Sequence, residues 1–202
     1  REKNGWMADG YMVQEAGMIN FDSRNIYAKW VNDMIDAQEA DGNVPGIVPT
    51  SWHWDSNWAG PMWDAAIFIT PHLLYQYSGD TRAIETIYPA AKRYLEYLQT
   101  REEANGTINH GLGDWLFYKA QTPVDFMATC FYYWDNVLMA QMARLTGREP
   151  EAAPYEAKAE KLKVLINELF FDPEKVCYSN GTQLSYALPL YVGIVPEQYE
   201  KR

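Results

Sequence analysis

Two segments, 61–79 and 125–147, are apolar almost all the way round, and each is followed by a segment with one apolar stripe and one charged face. A helix that is apolar on every side is buried on most sides, whereas a single stripe marks a helix half open to water. In 81–100 the stripe is Ile84, Ile87, Tyr88, Ala91, Leu95 and Leu98; in 154–170 it is Tyr155, Ala159, Leu162, Ile166 and Leu169. The couples keep a register. Gly79 and Gly147, 68 residues apart, stand where glycine closes a buried helix, and Tyr88 and Tyr155, 67 apart, open matching turns of the outer helices. A buried helix paired with an amphipathic one at such a period builds a helical toroid, with inner helices around an axis and outer helices shielding them.

The flanking sequence extends the pattern. Residues 10–20 predict a short inner helix, and Ser23 predicts the cap of an outer one running to about Ala40 with Ile26, Trp30, Val31, Met34 and Ile35 inward. A fourth inner helix is predicted near Thr182, and Pro196 predicts the start of its outer partner. An ordinary helical bundle or solenoid has the same local pattern.

Composition narrows the partners. The chain has 202 residues, a formal charge of −10 and 15% aromatic side chains. That charge, with no cluster of Lys or Arg, works against a nucleic acid or an anionic membrane surface. No apolar run reaches the roughly 18 residues of a membrane span. The two cysteines, Cys130 and Cys177, are too few for a disulfide framework. The compartment stays open, with export favoured over the cytoplasm.

Two long linkers, 41–60 and 101–124, are rich in aromatics and carry His53, Asp55, His110 and Asp114 beside Trp52, Trp54, Trp58 and Trp115. Loops of this length inside a compact fold are usually functional. Both follow an outer helix and lead into an inner one, so in a toroid they share a rim with residues 1–9. Indole faces beside Asp, Asn and His match a sugar, whose C–H face packs on a ring while its hydroxyls bond carboxylates and amides. The three histidines have no metal-ligand spacing, and there is neither a phosphate loop nor a nucleophile elbow, so no cofactor is expected. Paired carboxylates are the chemistry left, with Glu2, Asp9 and Asp114 as candidates and Asp55 and Asp64 behind them. Asp9 could equally cap the helix expected from Gly10.

The stretch Arg1-Glu2-Lys3-Asn4-Gly5-Trp6-Met7-Ala8-Asp9 resembles the signature of bacterial α-L-rhamnosidases, glycoside hydrolase family 78. The similarity continues through Trp63-Asp64-Ala65-Ala66, Tyr77-Ser78-Gly79-Asp80, Gly113-Asp114-Trp115, Asn180-Gly181-Thr182-Gln183 and Gly193-Ile194-Val195-Pro196. The resemblance implies an all-α fold, part of an (α/α)6 barrel with about seven to eight of its twelve helices, and residues 1–202 as one domain cut at both ends. It implies an inverting glycosidase acting on a rhamnose-containing glycan or glycoside. Glu2 matches the general acid and Asp9 the carboxylate that binds rhamnose hydroxyls; Trp6 and Trp115 match walls of the sugar pocket, with Asp114 and Trp63 beside them. The general base is expected beyond Arg202, in the remainder of the polypeptide, so the fragment alone is expected to be inactive. Ala8 stands where the family usually has Gly, and Trp63-Asp64 lacks an intervening glycine. A non-catalytic carbohydrate-binding domain and another (α/α)6 glycosidase are the alternatives.

Overall fold

The computed structural model describes residues 3–50 and 57–200. Among them the chain runs through α1 (Met7–Met12), α2 (Gln14–Asn20), α3 (Arg24–Ala37), α4 (Pro61–Asp64), α5 (Ala66–Ser78), α6 (Arg82–Thr100), α7 (Val124–Leu145), α8 (Glu149–Phe170), a two-stranded hairpin of β1 (Phe171–Asp172) and β2 (Cys177–Tyr178), and α9 (Gln183–Val192). None of these helices is long and apolar enough to cross a membrane.

The helices form two layers of an arc. Neighbouring inner segments touch in order: α1 and α2 pack on α5, α4 and α5 on α7, and α7 on α9. Outside them, α3 packs on α5 and α6, α6 on α5 and α7, and α8 along α7. The burial pattern follows the periodicity that predicted it. All six stripe residues of α6 are buried, and α7 buries residues on every side from Phe126 to Ala143. A fully buried Leu or Ile contributes about 1.5–3 kcal/mol relative to exposure, so these stripes hold the outer layer to the inner one. Gly79 closes α5 in the left-handed conformation at φ +69°, and Gly147, one residue past the C-cap of α7, has φ +72°.

Several expectations are corrected. The single helix over 10–20 is two, broken at Val13, whose ψ of −4° departs from the regular helical value, and α1 already begins at Met7. Asp9 therefore lies in the first turn of α1 instead of capping it, where its charge still favours the helix N-terminus. Ser23 sits at the N-cap of α3, but its hydroxyl meets Met18 Sδ at 3.5 Å and caps nothing. Ile26 and Leu169 are largely exposed; Tyr27 packs against the core where Ile26 was expected, and α8 starts five residues early, at Glu149, with Ala152 joining its buried side. After Pro196 the described residues form only a 3₁₀ turn, Glu197–Tyr199. The hairpin was not expected at all. Its turn is held by Asp172, whose carboxylate accepts from the backbone of Glu174 and Lys175.

The segment ahead of α1 is fastened at backbone level to residues 43–48, whose Val44, Ile47 and Val48 are fully buried. Val48 N–H donates to Gly5 O at 2.7 Å, and Met7 N–H to Gly46 O at 2.9 Å. Trp30 closes the arrangement from α3, its indole N–H donating to Val48 O. Gly5 is required by this approach, since a Cβ there would stand 2.1 Å from the Val48 carbonyl oxygen. In the full-length protein, Gly5→Ala is expected to cost about 1–3 kcal/mol by overpacking. Thermal denaturation measures this, and an unchanged midpoint would contradict the close approach.

Candidate active site

On the concave side of the arc the inner helices enclose a cavity of about 790 Å³. Tyr11, Met62, Ile69, Met127, Phe131 and Leu188 give it an apolar wall, and Trp134 with Tyr191 adds an edge-to-face aromatic pair at 5.1 Å. The polar groups on this wall are few. Glu15 accepts from Tyr77 Oη at 3.0 Å, and His72 has its pKa lowered by burial, which favours the neutral imidazole. Gln76, Gln141 and Asp114 complete them. An apolar cavity with a small number of directed polar groups is the usual form of a small-molecule site.

The three loops expected at one rim do adjoin one another. Trp6 meets Trp58 edge-to-face at 6.0 Å, and Trp6 bridges to Ile47. The second loop then touches the third: Leu112 N–H donates to Ala59 O at 3.0 Å, and His110 Nε2 lies 3.2 Å from Asn57 O. Burial and the neighbouring Arg101 both depress the His110 pKa. The third loop carries Asp114 and Trp115 onto the cavity wall.

Asp114 also organises the rim. Its Oδ2 accepts from Thr122 N–H at 3.0 Å and from Thr122 Oγ1 at 2.9 Å. Thr122 Oγ1 lies 2.6 Å from Thr182 Oγ1, which lies 2.9 Å from Ser185 Oγ; Ser185 Oγ in turn is 3.2 Å from Asn180 Oδ1. Thr182 is the N-cap of α9 and accepts from Ser185 N–H. This row of hydroxyls joins the third loop to the fourth inner helix. Between its fixed ends, Leu116 and Lys119 take the left-handed conformation at φ +59° and +66°, which costs a non-glycine residue roughly 1–2 kcal/mol.

Behind the cavity lie two buried carboxyls. Asp64 on α4 accepts from Tyr94 Oη at 3.1 Å through Oδ2, while its Oδ1 has no partner among the described residues. Asp135 on α7 is fully buried, and neither of its oxygens has such a partner. Burial raises both pKa values well above the ordinary carboxylate range, and the charge of Asp64 adds to the rise at Asp135. Tyr11 bridges this region to the cavity, donating to Met62 O at 2.9 Å; burial and then Asp135 push its pKa up.

The structure thus brings Trp6, Asp114 and Trp115 to one connected rim. Asp9 is exposed on α1 and is not part of the cavity wall. Trp63 is 4% exposed and belongs to the core, its indole N–H without a partner among the described residues. Glu2 and Asp55 lie outside the described residues, as do Trp52, His53 and Trp54. Sequence reasoning missed Glu15, His72, Gln76 and Gln141, whose signal was a polar side chain on an otherwise apolar inner helix. Among the described residues no group of three or more His, Cys, Asp or Glu could hold a metal ion.

An α-L-rhamnosidase of Streptomyces avermitilis is 28% identical over 99% of this chain, and one of Formosa agariphila 26% identical over 98%. This chain spans 19% and 22% of those relatives, about a fifth of their length. The crystal structure of the Streptomyces avermitilis α-L-rhamnosidase complexed with L-rhamnose superposes with a TM-score of 0.90 at 27% identity, covering 98% of this chain and 19% of that one. The α-L-rhamnosidase from Dictyoglumus thermophilum gives 0.88 at 28% identity, covering 98% and 23%. The family described as the bacterial α-L-rhamnosidase six-hairpin glycosidase domain matches residues 1–202. With its helical hairpins, aromatic rim and axial cavity, the chain belongs to that glycosidase family.

Proposed function

We propose that the polypeptide carrying this chain hydrolyses terminal α-L-rhamnosyl linkages with inversion, and that residues 1–202 supply the N-terminal hairpins of its (α/α)6 catalytic barrel. The observation that carries this reading is that the loops of Trp6 and of Asp114 and Trp115 adjoin one another through residues 57–59, with Asp114 and Trp115 on the wall of the axial cavity. In this reading Trp115 and Asp114 meet the sugar from the cavity wall, the resemblance assigns Trp6 and Asp9 to the same sugar from outside that wall, and Glu2 protonates the glycosidic oxygen. Trp63 backs the pocket from the core. The base is a carboxylate from elsewhere in the polypeptide, about 6.5–9.5 Å from the acid so that a water fits between sugar and base. The chain without that base does not turn the sugar over.

The test is the full-length protein on 4-nitrophenyl α-L-rhamnoside, beside the matching glucoside and glucuronide. Selective release from the rhamnoside, with β-L-rhamnose appearing first by NMR, is the expected outcome. Preference for another sugar would place the chain with a different barrel glycosidase, and binding without release would make it a lectin-like domain.

A further inference from the structure

One carboxylate of the cavity wall is placed by a threonine that is not itself part of that wall. Asp114 reaches the wall from the third loop, and its Oδ2 takes both hydrogen bonds that Thr122 can give, from N–H at 3.0 Å and from Oγ1 at 2.9 Å. Its Oδ1 takes none among the described residues. A carboxylate anchored through one oxygen keeps the other as an acceptor of fixed direction, which is what a sugar hydroxyl needs.

The backbone at Asp114 is fixed from the other side. Gly113, at φ +64°, lies so close to the start of α7 that a Cβ there would stand 2.8 Å from Val124 Cγ2, and Leu112 N–H donates to Ala59 O. Those contacts leave the Asp114 side chain free to rotate, and Thr122 stops it. Thr122 is fully buried and β-branched, so its own rotamer is restricted. Its hydroxyl is held in turn, because Thr182 Oγ1, 2.6 Å away, meets its accepting side while its proton goes to Asp114. The Asn180 side-chain amide, donating to Gln121 O at 2.7 Å, fixes the backbone one residue ahead of Thr122.

We propose that Thr122 is a positioning residue of the sugar site: backed by Thr182, it sets the Asp114 carboxylate so that its free oxygen accepts from a sugar hydroxyl. This inference rests on the rhamnosidase reading of the cavity. In the full-length protein, Thr122→Val keeps the shape of the side chain and loses the hydroxyl. It is expected to raise KM for 4-nitrophenyl α-L-rhamnoside and the inhibition constant of L-rhamnose about tenfold each, with kcat within about twofold of wild type. Thr122→Ser, which returns the hydroxyl, is expected to restore both constants. A purely structural role lowers the active fraction, and with it the apparent kcat, but leaves KM and the inhibition constant where they were. That result overturns the proposal, and so does a serine variant as weak as the valine one. Thr182→Val leaves Thr122 in place without its backing and is expected to raise both constants about threefold, a test that stands even if Thr122→Val does not fold. Unchanged constants in Thr182→Val overturn the proposal as well. Wild-type protein that neither hydrolyses the rhamnoside nor binds rhamnose removes the underlying reading before any variant is compared.

Discussion

In the full-length protein, Glu2→Gln is expected to lower kcat on an alkyl α-L-rhamnoside by about 10²–10⁴-fold, the range for removal of a general acid, the role proposed for Glu2. The amide keeps the shape and hydrogen bonding of the side chain but has no acidic proton for the departing oxygen. The loss shrinks on 2,4-dinitrophenyl rhamnoside, whose phenolate leaves without protonation, and the alkaline limb of the kcat/KM profile disappears with the acid. That contrast separates proton transfer from binding. A loss of equal size on both leaving groups would assign Glu2 to holding the sugar. Glu2 lies in the motif that carries the family resemblance and outside the described residues.

A second large effect is expected behind the cavity wall. Asp135 is buried, lacks a hydrogen-bond partner among the described residues, and has its pKa raised by burial and by Asp64. A carboxyl whose folded pKa exceeds its unfolded one, here 3.8, favours folding fully below that value. The contribution is lost as pH rises through the folded pKa, because the unfolded chain ionises freely while the folded one must hold the proton or bury a charge. Asp135→Asn removes the titration. Relative to wild type it is expected to change stability little at pH 4 and to raise it at pH 8 by an amount on the order of 1–3 kcal/mol, the scale of an unpartnered buried polar group. Urea denaturation at the two pH values measures the difference. A variant less stable at pH 8 than at pH 4, relative to wild type, would show that the ionised side chain has a partner that stabilises it. Asp64, Tyr94, which donates to Asp64, Tyr11 and Tyr132 are the neighbouring titratable groups that stay in place.

The fold was legible where side-chain period alone decides it. The stripe of α6 and the all-round burial of α7 follow from 3.6-residue geometry, and the glycines that end α5 and α7 follow from the left-handed turn only glycine makes cheaply. The break at Val13 was not legible, because residues 10–20 keep a helical pattern on both sides of it. Neither was the α8–β1–β2 connection: two-residue strands are too short for a period of two to register. At the site, the aromatic loops announced themselves by composition, and their shared rim followed from the order of inner and outer helices. Trp63 shows the limit of that reasoning. A tryptophan at the start of an inner helix reads the same whether its ring faces sugar or core, and only packing distinguishes them. Asp135 was hidden for a similar reason, since one acid within an apolar helix looks like an interruption of the pattern until its surroundings are known.

The hydroxyl row running from Asp114 to Asn180 has a direction. A carboxylate only accepts, so the single proton of Thr122 Oγ1 is committed to Asp114, and Thr182 must then give its own proton to Thr122. Ser185 is left to choose between Thr182 and the Asn180 oxygen. One negative charge beside the cavity therefore orients the hydroxyls of Thr122 and Thr182, and any ligand group that displaced Thr122 from Asp114 would free that sequence to reverse as far as the start of α9.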